Sequence, residues 1–354
     1  MINLINTLDF LDEDEKPEVF LFYRSDLKKY LDNISYPYLA SVGWSFPAIY
    51  KGYLKSLITG ENMFISGMIR QYDLDALFPV HDLPIRTKTR TKLISWYADL
   101  QHKYYPEFFT RKKILERNLR IKFMLRNSDA LVVSSHAVKS DFERFFRLPD
   151  SLRINVFHFV SVIEDFNNTS ISGLLKKYQL PEKYFIISNQ FHKHKNHKIV
   201  LESLIRLKGE ISDIHIVMTG RLPDASYSPY LRELHSLISK NGLHSQISFL
   251  GVIPRNEQLM LIKHSQAVLQ PSLFEGWSTV IEDARSLQVP VIASKIAVHI
   301  EQLGLHSTLF NPHDPGELAV ILNNFPERNV NAIIYDDYNY RIKQAAGEFL
   351  KVCS

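Results

Sequence analysis

The stretch FEGWSTVIEDA, Phe274 to Ala284, holds two glutamates, a glycine and a Ser-Thr hydroxyl pair within eleven residues. The apolar runs AVLQPS and VPVIAS flank it. Val280, Ile281, Ala284 and Leu287 recur at helical spacing, which predicts a helix from near Ser278 and a loop over about 273–277. The N–H groups of Ser278, Thr279 and Val280 would then open a helix, and unpaired donors with a partial positive charge suit a phosphate. Gly276 permits a tight turn or the close approach of a ligand. Glu275 before the helix and Glu282 on its first turn can reach one site, where carboxylates accept paired hydrogen bonds from vicinal hydroxyls of a ribose or hexose. The same residues also fit a capping box, Thr279-x-x-Glu282, with no ligand at all. Eleven residues do not decide between the two.

A second group lies in SNQFHKHKNHKIV, residues 188–200, where Lys193 and Lys195 crowd a loop with His192, His194 and His197. Transfer from a diphosphate needs the departing charge neutralised, by a metal or by Lys/Arg and helix dipoles. Lysines at the end of a strand can do this alone. The histidines offer metal ligands, but no cysteine accompanies them and loop histidines are commonly solvated, so no metal is expected. A third group is SWYADLQHKYYPEFFT, residues 95–110, where Asp99 and His102 are polar groups in an aromatic setting. His102 suits a general base or hydroxyl partner near neutral pH, with a structural histidine as the plainer alternative. Asp73-Leu74-Asp75 has the form of a metal-holding D-x-D pair. It follows MIRQY rather than a buried strand, which argues against that use.

These groups need a scaffold, and the pattern supplies one. From about residue 130, short β-rich runs alternate with helical patterns: ALVVSS, AVKSDFERFF and INVFHFV in one series. After the polar EDFNNTS a second series runs through YFIISN, a helix over 196–208, DIHIVMTG, PYLRELHSLISKN, ISFLG, RNEQLMLIKHS and AVLQPS. Asp314-Pro315 reads as the N-cap and first residue of a later helix. Such alternation predicts an α/β fold: two Rossmann-like domains with parallel sheets, facing a cleft. Ligands in such sheets bind beyond the carboxyl ends of the strands, after Ser188, Gly220, Gly251 and Ser272. The expected boundaries are 1–165, 166–336 and a last helix over 337–354. No GxGxxG occurs, which counts against a dinucleotide-dependent dehydrogenase.

Composition bounds the rest. With 354 residues and 45% hydrophobic content the chain can build two packed domains. No apolar run approaches a membrane span of ~18 residues. The start, MINLINTLDFLDEDEK, lacks the basic n-region of a signal peptide, and the one cysteine, Cys353, fits a reducing cytoplasm. Between Arg86 and Arg126 twelve Lys/Arg face three acids. That excess is either a solvated face or a patch for an anionic membrane surface or acceptor. No DNA- or RNA-binding motif accompanies it, so nucleic acid is not an expected partner.

Together these segments resemble the retaining GT-B glycosyltransferases of the family-4, or group 1, type, from bacterial polysaccharide and lipopolysaccharide (O-antigen) synthesis. PSLFEGWSTVIEDARSLQVPVIAS resembles the family's carboxylate signature, usually two glutamates seven residues apart; Glu275 and Glu282 are separated by six. SNQFHKHKNHKIVLESL resembles its phosphate-binding loop, with Lys195 at the lysine and Gln190 where the family has arginine, a loss Lys193 could offset. FLGVIPRNEQL is similar to the segment flanking the nucleotide base, at Val252 and Ile253, and ADLQHKYYPEFF to the one carrying a histidine close to the transferred sugar. LINTLDFLDEDEKPEVFLFY is similar to the family's first helix and second strand, so the first strand is expected to be missing. The resemblance implies transfer from a UDP- or GDP-linked sugar to a saccharide or lipid-linked saccharide, with retention and without metal or cofactor. Glu282 would hold the ribose, Glu275 the donor sugar, Lys195, Lys193 and the N–H groups at 278–280 the diphosphate, and His102 or Asp99 the acceptor side. The single cysteine and the basic segment 86–126 add the expectation of a cytoplasmic enzyme, peripheral at the inner face of the membrane. The missing strand and arginine leave a second expectation, a non-catalytic homologue partnering an active transferase.

Overall fold

The structure, a computed structural model, describes residues 1–207, 213–222, 228–306, 308–329 and 331–353. It divides into two units: Met1–Val162 together with the chain from Asn339 on, and Ile163–Tyr338.

The first unit begins with helix α1 (Ile2–Thr7) and strands β1 (Val19–Tyr23) and β2 (Leu39–Gly43), which pair in parallel as a sheet of their own. Helices α2 (Ile49–Thr59) and α3 (Ser66–Gln71) follow, then β3 (Ala76–Leu77), β4 (Lys92–Tyr97), α4 (Gln101–Tyr104), α5 (Arg111–Asn127), β5 (Ala130–Val133), α6 (His136–Phe145) and β6 (Arg153–Val156). The last four strands form a parallel sheet in the order β3-β4-β5-β6. Sequence alternation expected β5, α6 and β6, but not β4: in KLISWY the successive residues Leu93, Ile94 and Ser95 are all buried, so it shows no period-2 pattern. A cavity of about 1370 Å³ separates the two sheets, with β1 on one side, β3 on the other, and Leu8, Phe64 and Phe349 among its apolar walls.

The second unit is built on one six-stranded parallel sheet. In chain order its elements are α7 (Ile171–Tyr178), β7 (Phe185–Ser188), α8 (His197–Arg206), β8 (Ile216–Thr219), α9 (Pro229–Asn241), β9 (Ile247–Gly251), α10 (Arg255–His264), β10 (Val268–Gln270), α11 (Thr279–Ser286), β11 (Val291–Ser294), α12 (Ala297–Leu303), β12 (Thr308–Phe310) and α13 (Pro315–Asn323). Lys208, the expected last residue of α8, lies outside the described residues. The strand order is β12-β11-β10-β7-β8-β9. Every residue of β7, β8, β10 and β11 is buried, because helices cover both faces. Successive side chains go to opposite layers: Ile187, Ile216, Met218 and Leu269 pack in one core, Ile186, Val217 and Val268 in the other. Burying each such side chain stabilises by about 1.5–3 kcal/mol, so a one-residue slip would exchange the layers and is strongly disfavoured. Asp314 caps α13, accepting from the N–H groups of Gly316 (2.8 Å) and Glu317 (3.3 Å).

The final helix, α14 (Tyr338–Cys353), packs within the first unit, where Phe349 meets Phe78 and Phe157 with ring centroids 5.0 and 5.5 Å apart.

Candidate functional site

In the second sheet, chain order runs outward from β7 in both directions, through β8 and β9 on one side and β10, β11 and β12 on the other. The crevice beyond β7 and β10 is therefore the topological switch point, where open α/β sheets bind ligands. The two segments singled out in the sequence leave these two strands. After β7 the chain makes a short turn at Lys193–Lys195, and Asn196 adopts φ 55° before α8 begins. The Leu273 N–H donates to the His194 carbonyl at 2.7 Å, tying the loop after β10 to the loop after β7.

This brings Lys195 and Glu275 together at 2.5 Å, with side chains only 18% and 10% exposed. Gln270 Nε2 and Ser272 Oγ donate to the same carboxylate at 2.9 and 2.8 Å. All three bonds go to Oε1, and Asn189 Nδ2 steadies Gln270 from behind at 2.9 Å. Burial alone would raise the Glu275 carboxyl, but the Lys195 ammonium outweighs it and holds the group below the ordinary carboxylate range. Glu275 is thus an anion at neutral pH, oriented by three donors, with Oε2 free to accept from a ligand hydroxyl. Lys193 is exposed beside this pair, and Gln190, also exposed, bonds to His192 Nε2 at 2.9 Å.

Helix α11 starts as the apolar spacing predicts, but its cap is Ser278, whose Oγ accepts from the Ile281 N–H at 3.3 Å. The Thr279–Glu282 capping box does not form. The Ser278 N–H is committed to Gln302 Oε1 at 3.2 Å, so Thr279 and Val280 supply the remaining N–H groups of the expected cradle. Gly276 is buried beneath them. Glu282 is fully buried, and its Oε1 accepts from Gln302 Nε2 (2.7 Å) and Arg285 Nη1 (2.9 Å).

The next residue is one that the sequence reading passed over. Asp283 lies seven residues beyond Glu275, counting those between, and forms a two-pronged pair with Arg255 at 2.7 and 2.6 Å. Arg255 also reaches Gln258 (2.9 Å), which donates to Ser188 Oγ at the end of β7, and Ser188 bonds to Thr219 at the end of β8. Counting the separation from Glu275 would have found Asp283.

On the other flank of the crevice, Gly220 sits at φ 137°, where a Cβ would come within 2.1 Å of the Asn189 carbonyl. Only glycine lets these two loops approach so closely. Val252 is 76% exposed beside Gly251, and Ile253 packs partly into the core, so this edge is apolar and accessible.

In the first unit, Asp99 caps Gln101 through its N–H at 2.9 Å and lines a cavity of about 280 Å³ at the end of β4, with His81, Trp96, Tyr97 and Arg117. His102 is buried and does not line it. Its Nε2 contacts Asn118 Oδ1 at 3.1 Å, and burial lowers its pKa.

A glycosyl transferases group 1 family model matches residues 175–344, which contain the entire Lys195–Glu275 constellation. The chain carries a glycosyl transferases group 1 domain. Over 278 residues it is 24% identical to the O-antigen chain mannosyltransferase RfbU of Salmonella typhimurium, covering 76% of this chain and 71% of that one. Sucrose-phosphate synthase of Thermosynechococcus elongatus superposes with TM-score 0.69 at 15% identity, over 99% of this chain and 90% of that one. HepE of Anabaena, solved in complex with UDP, gives 0.65 at 19%, over 99% and 94%. The fold is GT-B, with two Rossmann-like domains. Among the described residues, no helix is long and apolar enough to cross a membrane.

Behind the site of the group 1 domain lie two buried histidines. His299 Nδ1 faces the Ser294 carbonyl at 2.9 Å and Nε2 has no partner; burial pushes its pKa down to about 4. His197 stacks on Phe191 at 4.4 Å with neither ring nitrogen bonded, and burial pushes it to about 3. Below the ordinary value of 6.5 the unfolded chain takes up these protons and the folded chain does not, so stability is full above that pH and falls on acidification. Each group contributes a slope of about 1.4 kcal/mol per pH unit in that window. His197→Leu is expected to flatten the slope and, by removing two unsatisfied buried groups, to stabilise at pH 7 by about 1–3 kcal/mol. Urea denaturation at pH 7 and pH 5 measures both. Lower stability at pH 7 would show that the ring nitrogens are satisfied in solution.

Proposed function

We propose that the protein transfers a sugar from a nucleotide-diphosphate sugar, UDP- or GDP-linked, to a saccharide or lipid-linked saccharide. Transfer proceeds with retention and without a metal. The observation that carries this reading is the Lys195–Glu275 pair at the switch point between β7 and β10. Lys195, with Lys193 and the N–H groups of Thr279 and Val280, neutralises the departing diphosphate, so fixed charge does the work a metal would do. Glu275 accepts from the donor sugar's hydroxyls through Oε2. Val252 and Ile253 offer the base an apolar edge. The Arg255–Asp283 pair joins the segment after β9 to α11 and sets the distance between base and sugar subsites. Asp99 and the aromatic pocket at the end of β4 suit an acceptor sugar, with His102 supporting that loop from beneath.

Calorimetry with UDP, GDP and a panel of their sugars, each with and without EDTA, tests the reading. A mannose-bearing donor is the first to try, because RfbU is a mannosyltransferase. Binding of one donor, unchanged by EDTA, is expected, and product NMR should show the donor's anomeric configuration kept. No binding across the panel would overturn the assignment, and loss of binding with EDTA would overturn metal independence.

A further inference from the structure

Helix α2 is amphipathic in the reverse sense. Gly52 and Ser56 face the first unit's core, and a Cβ on Gly52 would meet the Phe64 ring at 2.4 Å. The opposite face carries Tyr50, Leu54, Leu57 and Ile58, which are 68%, 62%, 55% and 75% exposed. Their i, i+4, i+7, i+8 spacing makes one continuous apolar stripe where a soluble helix carries charge. Lys51 and Lys55 border it, both exposed. Helix α5 lies against α2 through Tyr50–Glu116 (3.3 Å) and the Tyr53–Phe123 rings (5.9 Å). It adds a second exposed stripe at the same kind of spacing: Arg111, Leu115, Leu119, Lys122 and Arg126, with Leu115 at 61% and Leu119 at 47% exposed. The basic excess over 86–126 is therefore not simply a solvated face. Part of it closes into ion pairs, Arg86 with Asp129 and Arg120 with Asp82, whereas Arg111, Lys112, Lys122 and Arg126 stand exposed among leucines.

We infer that the exposed faces of α2 and α5 form a docking surface for an anionic lipid bilayer. The leucines, Ile58 and Tyr50 enter the acyl boundary, and the lysines and arginines meet the headgroups. Charge decides the occupant: a protein partner for the apolar stripe alone would not call for this basic border, whereas apolar insertion ringed by Lys/Arg is what an interfacial helix requires. The inference goes beyond the donor-site reading and is tested without nucleotide or acceptor, so either can fail alone.

The test is co-sedimentation of the full chain with vesicles of phosphatidylglycerol and phosphatidylethanolamine, against phosphatidylcholine alone. Binding to the anionic vesicles is expected, weakening as salt rises. Leu54→Ser with Ile58→Ser, and separately Lys51→Glu with Lys55→Glu and Lys112→Glu, should each lower the partition coefficient by roughly tenfold or more. All five positions are solvent-facing, so an unchanged thermal melt will show that the variants fold. Binding indifferent to lipid charge, or variants that partition like the parent, would overturn the inference. So would a dimer in analytical ultracentrifugation that the Leu54/Ile58 variant dissociates, because a second copy would then be what covers the stripe.

Discussion

Lys195→Met is expected to slow sugar transfer by about 10²–10³-fold, the range seen when one preorganised charge-stabilising donor is removed. It should also destabilise the 163–338 unit by about 3–5 kcal/mol, because it leaves the Glu275 carboxylate, 10% exposed, without its counter-charge. Two measurements separate these effects. The first is Glu275→Gln placed in the Lys195→Met background. A neutral amide can still accept from Gln270 and Ser272, so the double variant should recover most of the lost stability while remaining inactive. Recovery of activity along with stability would mean that Lys195 serves the fold alone.

The second measurement is pH dependence. In the parent, Lys195 holds the Glu275 carboxyl low, so that contribution to stability is present above the ordinary carboxylate value of 4.5 and lost as pH falls through the folded value. Without Lys195, burial is opposed only by the smaller effects of His299 and the Ser272 hydrogen bond, and it raises the carboxyl. The sign of this one contribution then reverses: between pH 7 and pH 5 the variant should lose less stability than the parent, because proton uptake by the buried carboxylate offsets part of the loss from His197 and His299. Urea midpoints at pH 7 and pH 5 resolve this. A variant whose midpoint falls as steeply as the parent's would show that Glu275 is solvated in solution.

What the sequence made legible follows from where the chain is most regular. The second unit alternates short apolar runs with helices, so its strand ends, and hence Lys195 and Glu275, could be placed before any coordinate. Both signals are local: a lysine after one buried run and a glutamate after another. That the two runs are neighbours depends on strand order, which no local pattern carries. Only the capping-box alternative puts the cap of α11 at Thr279, one residue past Ser278, because either hydroxyl fits the start of the apolar spacing. That same one-residue slack hid Asp283, whose significance rests on Arg255, 28 residues away in the chain. In the first unit, α2 escaped notice because an outward apolar stripe reads in sequence as a core-facing one. Periodicity locates an amphipathic helix without saying which side faces the protein.

The sharpest disagreement between pattern and structure concerns the carboxylate on α11 that serves the donor, and two adjacent substitutions can settle it. Glu282→Gln should change UDP or GDP affinity less than about twofold. Its side chain is fully buried and turned to Gln302 and Arg285, and an amide keeps the acceptor oxygen while losing only the charge facing Arg285. Asp283→Asn should lower affinity by about tenfold or more, because it breaks the two-pronged bond that fixes Arg255, and with it Gln258 and the end of β7. A further asymmetry follows from burial. Arg255 is 29% exposed and can regain water when Asp283 is removed, whereas Asp283, at 1%, cannot when Arg255 is removed. Arg255→Ala should therefore destabilise by more than Asp283→Ala, approaching the ~3–5 kcal/mol of an orphaned buried charge. If instead Glu282→Gln abolishes nucleotide binding and Asp283→Asn leaves it intact, the six-residue spacing is the functional one. The Gln302 contact would then have to open when donor binds.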